Sequence, residues 1–221
     1  MKLQYLDYHW VGGVTTTKAN LKVTILPSLV ATNNTFHLSL TLSKAGTGVA
    51  EFSKTIQSSD MVFSFEFNNL DPKTEYQFKY KLTNDEDDSS EERQGRFRTF
   101  ADDGSLKFVA GSCANTMSDS AVFEHMASND PDFVLNLGDM HYAGVNSGTK
   151  KYFAEAYHEI FKSNEMRSLY ENNPIVYTFD DHDAGSDNTD GKSFSINQVN
   201  QLYREIIPHY PLTSSTNKGI Q

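Results

Sequence analysis

The sequence has little cysteine, little positive charge and no long apolar run. Cys113 is its single cysteine among 221 residues, so no intrachain disulfide framework is expected. Lys and Arg number 19 against 29 Asp and Glu, a formal net charge of −10. Nucleic acids and anionic membrane surfaces need a basic patch, so we expect neither as a partner. No apolar run is long enough for a transmembrane segment, and the first ten residues do not have the pattern of a signal peptide.

The composition is otherwise that of an ordinary globular protein, with 38% hydrophobic and 12% aromatic residues. The length allows one large domain or two modest ones. If so acidic a protein acts on a phosphate ester, it must supply positive charge, and bound metal ions are the usual source.

The first hundred residues predict an antiparallel β-sandwich. Short runs rich in β-branched and aromatic residues predict strands at 21–26, 37–42, 62–67, 76–82 and 95–100. Turn-like stretches lie between them at 31–35, 70–73 and 84–93, and the last is interpreted as a solvated acidic hairpin loop.

The pattern changes after a short polar segment at 101–105, where we place a domain boundary. Apolar strands are predicted at 107–112, 132–137 and 175–179, and helices at 118–129, 150–163 and 194–207, with Ser118 or Asp119 capping the first helix and Pro208 ending the last. Strands that alternate with helices in this way indicate parallel pairing through crossovers.

Each of these three strands ends in side chains that can bind metal: Cys113, Asp139, and the run from Asp180 to Asp183. Carboxyl ends of parallel strands meet at one edge of a sheet, so the three groups are expected to converge.

Each group also has a simpler interpretation. An isolated Gly-Asp more often caps a turn than binds a metal, and a run of acidic residues is often a solvated loop. Cys113 could be a small buried apolar residue, a nucleophile or a soft metal ligand. Nearby carboxylates raise the pKa of a thiol, which weighs against the nucleophile.

Taken together, three motifs resemble the PhoD-like alkaline phosphatase family: FVAGSC at 108–113, PDFVLNLGDMHY at 131–142 and FDDHD at 179–183. The resemblance covers about 101–221, and the segment 70–78 resembles a fibronectin type III domain. The resemblance to the phosphatase family implies an α/β fold with an N-terminal β-sandwich. Residues 1–101 would form the fibronectin type III-like domain, and 102–221 the N-terminal part of a calcineurin-type metallophosphoesterase domain.

The resemblance also implies hydrolysis of small phosphate mono- and diesters with ferric iron (Fe3+) and calcium (Ca2+), or with other divalent metals. Cys113 and Tyr142 would ligate iron, and Asp139 would bridge the metals. Asp181 matches the position of a metal-binding residue. His182 matches the histidine that binds the phosphate or protonates the leaving group.

Four further residues have less definite roles by resemblance, as outer-shell groups or additional metal ligands: His141, Asp180, Asp183 and Asn188. The family suggests an extracellular or secretory location. It also continues beyond the point where this sequence ends, so we expect an incomplete site, an activity that is in doubt and an exposed strand edge prone to aggregation.

Two alternatives remain open. One is a noncatalytic binding protein that carries the fibronectin-like domain. The other is a cysteine hydrolase in which Cys113 works with His125, His141 or His182.

Overall fold

The computed structural model describes residues 5–26, 35–56, 61–145 and 149–212, so most of the predicted turn at 31–35 lies outside the described residues. The described chain divides into two compact units. One runs up to His9 and from Val14 to Gly104, and the other consists of Trp10–Gly13 and the chain from Ser105 onward.

The first unit is built from strands, as the sequence predicts. They are β1 (Leu6–Gly12, whose last residues belong to the second unit), β2 (Ala19–Ile25), β3 (Phe36–Lys44), β4 (Thr47–Ile56), β5 (Val62–Phe67), β6 (Glu75–Asn84) and β7 (Ser90–Arg98). One sheet has the order β5-β2-β1 and the other β4-β3-β6-β7. Pairing is antiparallel between β2 and β5 and throughout the second sheet. Alternate residues such as Leu38, Leu40, Tyr80 and Leu82 are buried, which explains the period of two in the sequence.

The prediction of a solvated loop over the whole acidic run at 84–93 is wrong in part. Only 85–89 form the connection, because Asn84 ends β6 and 90–93 belong to β7. Glu91 Oε2 accepts the backbone N–H groups of Tyr5 and Leu6 at 2.7 and 2.9 Å. Arg93 donates to the carbonyls of Leu6 and Asp7 at 2.6 and 2.7 Å. The charges in this half of the run therefore hold a neighbouring strand in place.

The second unit alternates strands and helices: β8 (Phe108–Gly111), α1 (Ala121–Ser128), β9 (Phe133–Asn136), α2 (Lys150–Ile160), α3 (Asn164–Asn172), β10 (Ile175–Tyr177), α4 (Asp181–Ala184) and α5 (Ile196–Ile206). β9 pairs in parallel with both β8 and β10, and Gly12 at the end of β1 lies opposite Ile175. The predicted parallel crossovers are confirmed. None of the helices in the described part of the chain is long and apolar enough to cross a membrane.

Trp10 is a central side chain of the second unit and is fully buried. Its indole N–H donates to the carbonyl of Ile206 at 2.6 Å, and its rings lie 6.0 Å from Tyr157 and 5.4 Å from Phe161. An indole buried with its N–H satisfied contributes its full apolar area to the core.

Two helices, α3 and α4, were not predicted as separate elements, and α1 starts later than expected. The side chain that caps α1 is Ser120, not Ser118 or Asp119, because Ser120 Oγ accepts the N–H of Val122. α3 begins after Ser163, whose Oγ accepts the N–H of Met166 at 3.1 Å. A serine cap starts a new helix directly after α2, which the apolar periodicity alone does not indicate.

Candidate metal centre

The carboxyl ends of β8, β9 and β10 meet at one edge of the sheet. The backbone N–H of Cys113 donates to the carbonyl of Gly138 at 3.3 Å, and that of Ala114 to Asp139 at 3.2 Å. The segment after β10 joins the same edge, since the N–H of His182 donates to Asp139 Oδ1 at 3.3 Å. The three groups of side chains selected from the sequence therefore lie together.

Gly138 allows this close approach. Its φ is +105°, a conformation that residues with a Cβ rarely adopt, and an added Cβ would lie 2.6 Å from the Cβ of Asp180 and 2.7 Å from its backbone nitrogen. Asn136, in the strand before it, accepts the Gly138 N–H at 2.9 Å. The turn thus presents Asp139 directly against the segment that follows β10.

Asp139 is the centre of the site. It is 5% exposed, and its Oδ2 accepts the phenol of Tyr142 at 2.7 Å and the thiol of Cys113 at 3.5 Å. Tyr142 is held from its backbone as well, where its N–H donates to Thr116 Oγ1 at 2.8 Å. The hydrogen bond to Asp139 raises the pKa of the Tyr142 phenol above its usual range.

Asp139, Asp181 and His182 form a group that could hold a metal ion. One ligand atom from each lies within 4.8 Å of the others. The His182 Nδ1 is buried without a hydrogen-bond partner among the described residues, while its Nε2 lies 3.7 Å from Asp187 Oδ1. A buried ring nitrogen with no donor or acceptor nearby is the kind of atom that a cation satisfies. Carboxylate, imidazole, thiolate and phenolate are also ligand types that iron and divalent metals accept in proteins, so the residues fit a metal.

A backbone hydrogen bond from Asn188 stabilises the ionised form of Asp181. The backbone N–H of Asn188 donates to its Oδ2, and this bond lowers the pKa of the Asp181 carboxyl. Asn188 itself is exposed and turns its side-chain amide to Asp187 at 2.7 Å. In this structure Asn188 therefore contacts the site through its backbone.

Asp180 and Asp183 have capping roles. Asp180 is the N-cap of α4 and accepts the N–H of Asp181 at 2.9 Å. Asp183 is fully buried and accepts the N–H groups of Asp139, Met140 and Asp180. Burial raises the pKa of the Asp183 carboxyl to about 6, and these backbone hydrogen bonds oppose that rise. Its oxygens are directed at backbone amides.

His141 is also fully buried, so it does not face an opening to solvent. Its ring packs edge-on against Tyr157 at 5.3 Å, and neither ring nitrogen has a hydrogen-bond partner within the described ranges. Burial lowers the pKa of His141 to about 4, which makes the ring neutral at pH 7.

Three residues of the site were not selected from the sequence: Thr116, Asn136 and Asp187. Each contacts a candidate residue or the turn that carries it. Asn136 offered the clearest signal, because it is a polar residue within an otherwise apolar strand, and it is only 3% exposed.

No protein-family model matches the sequence. No curated protein matches it either. Among solved structures, that of PhoD superposes with a TM-score of 0.78 over 99% of this chain, at 16% sequence identity. The chain has a PhoD-like fold. The purple acid phosphatase PPD1 from yellow lupin (Lupinus luteus) seeds superposes with a TM-score of 0.62 over 98% of this chain, at 11% identity.

The chain spans about half the length of these two proteins, 49% of PhoD and 42% of the lupin phosphatase. At these low identities, the two superpositions show a shared fold. The position of the candidate site, at the carboxyl ends of parallel strands, agrees with the general rule for open α/β sheets.

Proposed function

We propose that this protein is a metal-dependent phosphoester hydrolase of the PhoD-like family. The observation that carries the proposal is the group formed by Asp139, Asp181 and His182, whose ligand atoms lie within 4.8 Å of one another on a PhoD-like fold. The lupin structure with this fold is, by its name, a phosphatase.

In this proposal Asp139 would hold the metal ions as a shared ligand, and Cys113, Tyr142 and Asp181 would supply further ligands. Contacts of Cys113 and Tyr142 with the same Asp139 oxygen support the assignment, because side chains gathered on one carboxylate oxygen are placed to share its cation. Ferric iron and calcium are the proposed metals, by family resemblance. When bound, such ions act as Lewis acids toward phosphoryl oxygens and supply an activated water or oxide.

His182 is proposed as the group that binds the phosphate or protonates the leaving alcohol. Its side chain is 19% exposed, so it can be reached from solvent while remaining next to Asp139. The ring of Tyr142 lies 4.2 Å from the imidazole and limits its movement. The substrate class is a small phosphate mono- or diester.

The domain assignment is also a proposal: a fibronectin type III-like domain at 1–101 and part of a metallophosphoesterase domain at 102–221. A tyrosine near the start of β6 supports the first. The Tyr76 hydroxyl accepts the backbone N–H of Asp71 at 2.8 Å, five residues upstream. Such a tyrosine corner is common in sandwich domains of this kind.

Elemental analysis of the purified chain is the first test, together with hydrolysis of p-nitrophenyl phosphate and bis-p-nitrophenyl phosphate. Asp139→Asn should lose both metal and turnover, since it removes the shared carboxylate. Asp119→Asn, which removes one exposed carboxylate from a loop of the same unit, should retain both. Metal content and turnover that survive Asp139→Asn would refute the assignment. A folded wild-type chain that takes up no metal and hydrolyses neither ester would favour the noncatalytic alternative.

The cysteine hydrolase is less well supported by the geometry. In the described part of the chain, the Cys113 thiol hydrogen bonds with a carboxylate, and no hydrogen bond joins it to an imidazole. If thiol alkylation inhibited hydrolysis and chelators did not, that result would support the cysteine hydrolase.

A further inference from the structure

Asp183 connects the two segments that carry the candidate ligands. Its Oδ2 accepts the N–H of Asp139 at 2.7 Å and that of Asp180 at 3.0 Å. Its Oδ1 accepts the N–H of Met140 at 2.9 Å. One carboxylate therefore binds two consecutive amides after β9, which lie 44 and 43 residues before it in the sequence. It also binds one amide after β10.

The local structure explains how Asp183 reaches both segments. It is the third residue of α4, and its side chain turns back to the N–H of Asp180, the N-cap, as the second half of a capping box. In an ordinary capping box the carboxylate serves only its own helix. Here the carboxylate also accepts the amides of Asp139 and Met140, because Gly138 lets the turn approach this close.

The same contacts argue that Asp183 is not itself a ligand. Both of its oxygens already accept N–H groups, and the residue has no exposed surface. A carboxylate in this position can orient ligands, but it would have to give up its amides to bind a cation. Groups of this kind commonly determine metal affinity without touching the metal.

We propose that Asp183 is the positioning residue of the site: its carboxylate fixes Asp139 relative to Asp181 and His182 by binding the backbone on both sides. The metal roles of Asp139 and Asp181 and the phosphate role of His182 rest on the proposed function. The backbone clamp is a property of the chain alone.

Asp183→Asn is the sharpest perturbation because it keeps the size of the side chain. An asparagine has one acceptor oxygen and one amide donor in place of two acceptor oxygens. Whichever way the amide is oriented, at least one of the three backbone N–H groups then faces another donor. The ligand segments should separate locally while the apolar core is unchanged.

The experiment has two readouts on the whole chain. Amide hydrogen exchange by NMR, without added metal, follows the N–H groups of Asp139, Met140 and Asp180. Titration with Mn2+ or Fe3+ measures metal affinity. We expect Asp183→Asn to speed exchange of at least one of the three amides about tenfold or more, and to weaken metal binding about 10- to 100-fold. Asp119→Asn should change neither.

Rapid exchange of all three amides in the wild-type chain would overturn the clamp without any variant, so the test does not depend on Asp183→Asn folding. In a chain that binds metal, unchanged affinity in Asp183→Asn would overturn the positioning role alone. Failure of the wild-type chain to bind metal would overturn the proposed function, and with it the positioning of ligands. Asp183→Glu keeps the carboxylate and should retain more affinity than Asp183→Asn; the reverse order would also count against the proposal.

Discussion

Gly138→Ala is expected to destabilise the second unit more than an ordinary glycine substitution does. The first cost is conformational, because a residue with a Cβ at positive φ loses about 1–2 kcal/mol. The second is steric. The added Cβ would lie 2.6 Å from the Cβ of Asp180 and 2.7 Å from its nitrogen, closer than such atoms approach. Displacing packed backbone costs about 1–3 kcal/mol more, so the total is about 2–5 kcal/mol.

Gly144→Ala is the matched control. Gly144 also has a positive φ, +59°, but a Cβ added there would meet no atom of the described residues within 4 Å. It should therefore show only the conformational cost of about 1–2 kcal/mol. The steric clash at Gly138 should appear in the difference between the two variants.

Urea unfolding followed by tryptophan fluorescence suits this measurement. Trp10 is the only tryptophan of the chain and is buried in the second unit, so its emission reports on that unit. The free energy of unfolding should fall further in Gly138→Ala than in Gly144→Ala by about 1–3 kcal/mol. Equal losses in the two variants would show that the segment after β10 does not press against Gly138, and the account of the turn would be wrong.

Three further predictions concern single side chains of the second unit. Burial raises the pKa of Tyr203 to about 12. The folded state therefore holds this proton more tightly than the unfolded state, and about 3 kcal/mol of stability should be lost as the pH rises from 10 to 12. Urea unfolding across that range should show a shallower loss in Tyr203→Phe. Ser163→Ala removes a side-chain cap and should cost about 1 kcal/mol, whereas Thr149→Ala should cost less in the same assay because Thr149 makes no such bond. Tyr142→Phe should weaken metal binding in a titration, since it removes the hydroxyl on Asp139, while Tyr152→Phe, at a half-exposed position, should bind as the wild type does. Equal metal affinities in the two phenylalanine variants would exclude Tyr142 as a ligand.

The parallel strands of the second unit could be predicted because they are local apolar runs that end in polar residues. β9 and β10 are short and bounded by glycine, proline or acidic residues, and the helices between them show clear periodicity. Parallel pairing then places all three strand ends at one edge, so the meeting of Cys113, Asp139 and Asp181 follows from topology and needs no knowledge of their contacts.

The strands of the first unit that were missed lack this local signal. In β4 only Ile56 is buried, and the other residues of the strand are exposed or half-buried. All seven residues of β1 are buried, yet it includes Asp7 and His9, whose environment comes from partners far along the chain. For example, the Nδ1 of His9 forms a hydrogen bond of 2.9 Å with the hydroxyl of Tyr80.

The sequence left open whether Asp183 and His141 are metal ligands or supporting groups, for a similar reason. Both lie within motifs rich in metal-binding residue types, so composition cannot separate a ligand from a supporting group. The distinction depends on which way the side chain turns. Asp183 turns to backbone amides and His141 turns to the ring of Tyr157.

The path of β1 affects how the chain responds to cleavage. Residues up to His9 and from Val14 onward belong to the first unit, whereas Trp10–Gly13 belong to the second. A protease that cuts within the polar segment at 101–105 would therefore not release the second unit. The N-terminal product would still carry Trp10, anchored by its hydrogen bond to Ile206 and its ring contacts. Such a nicked protein should migrate as two fragments on a denaturing gel and elute as one species from a sizing column.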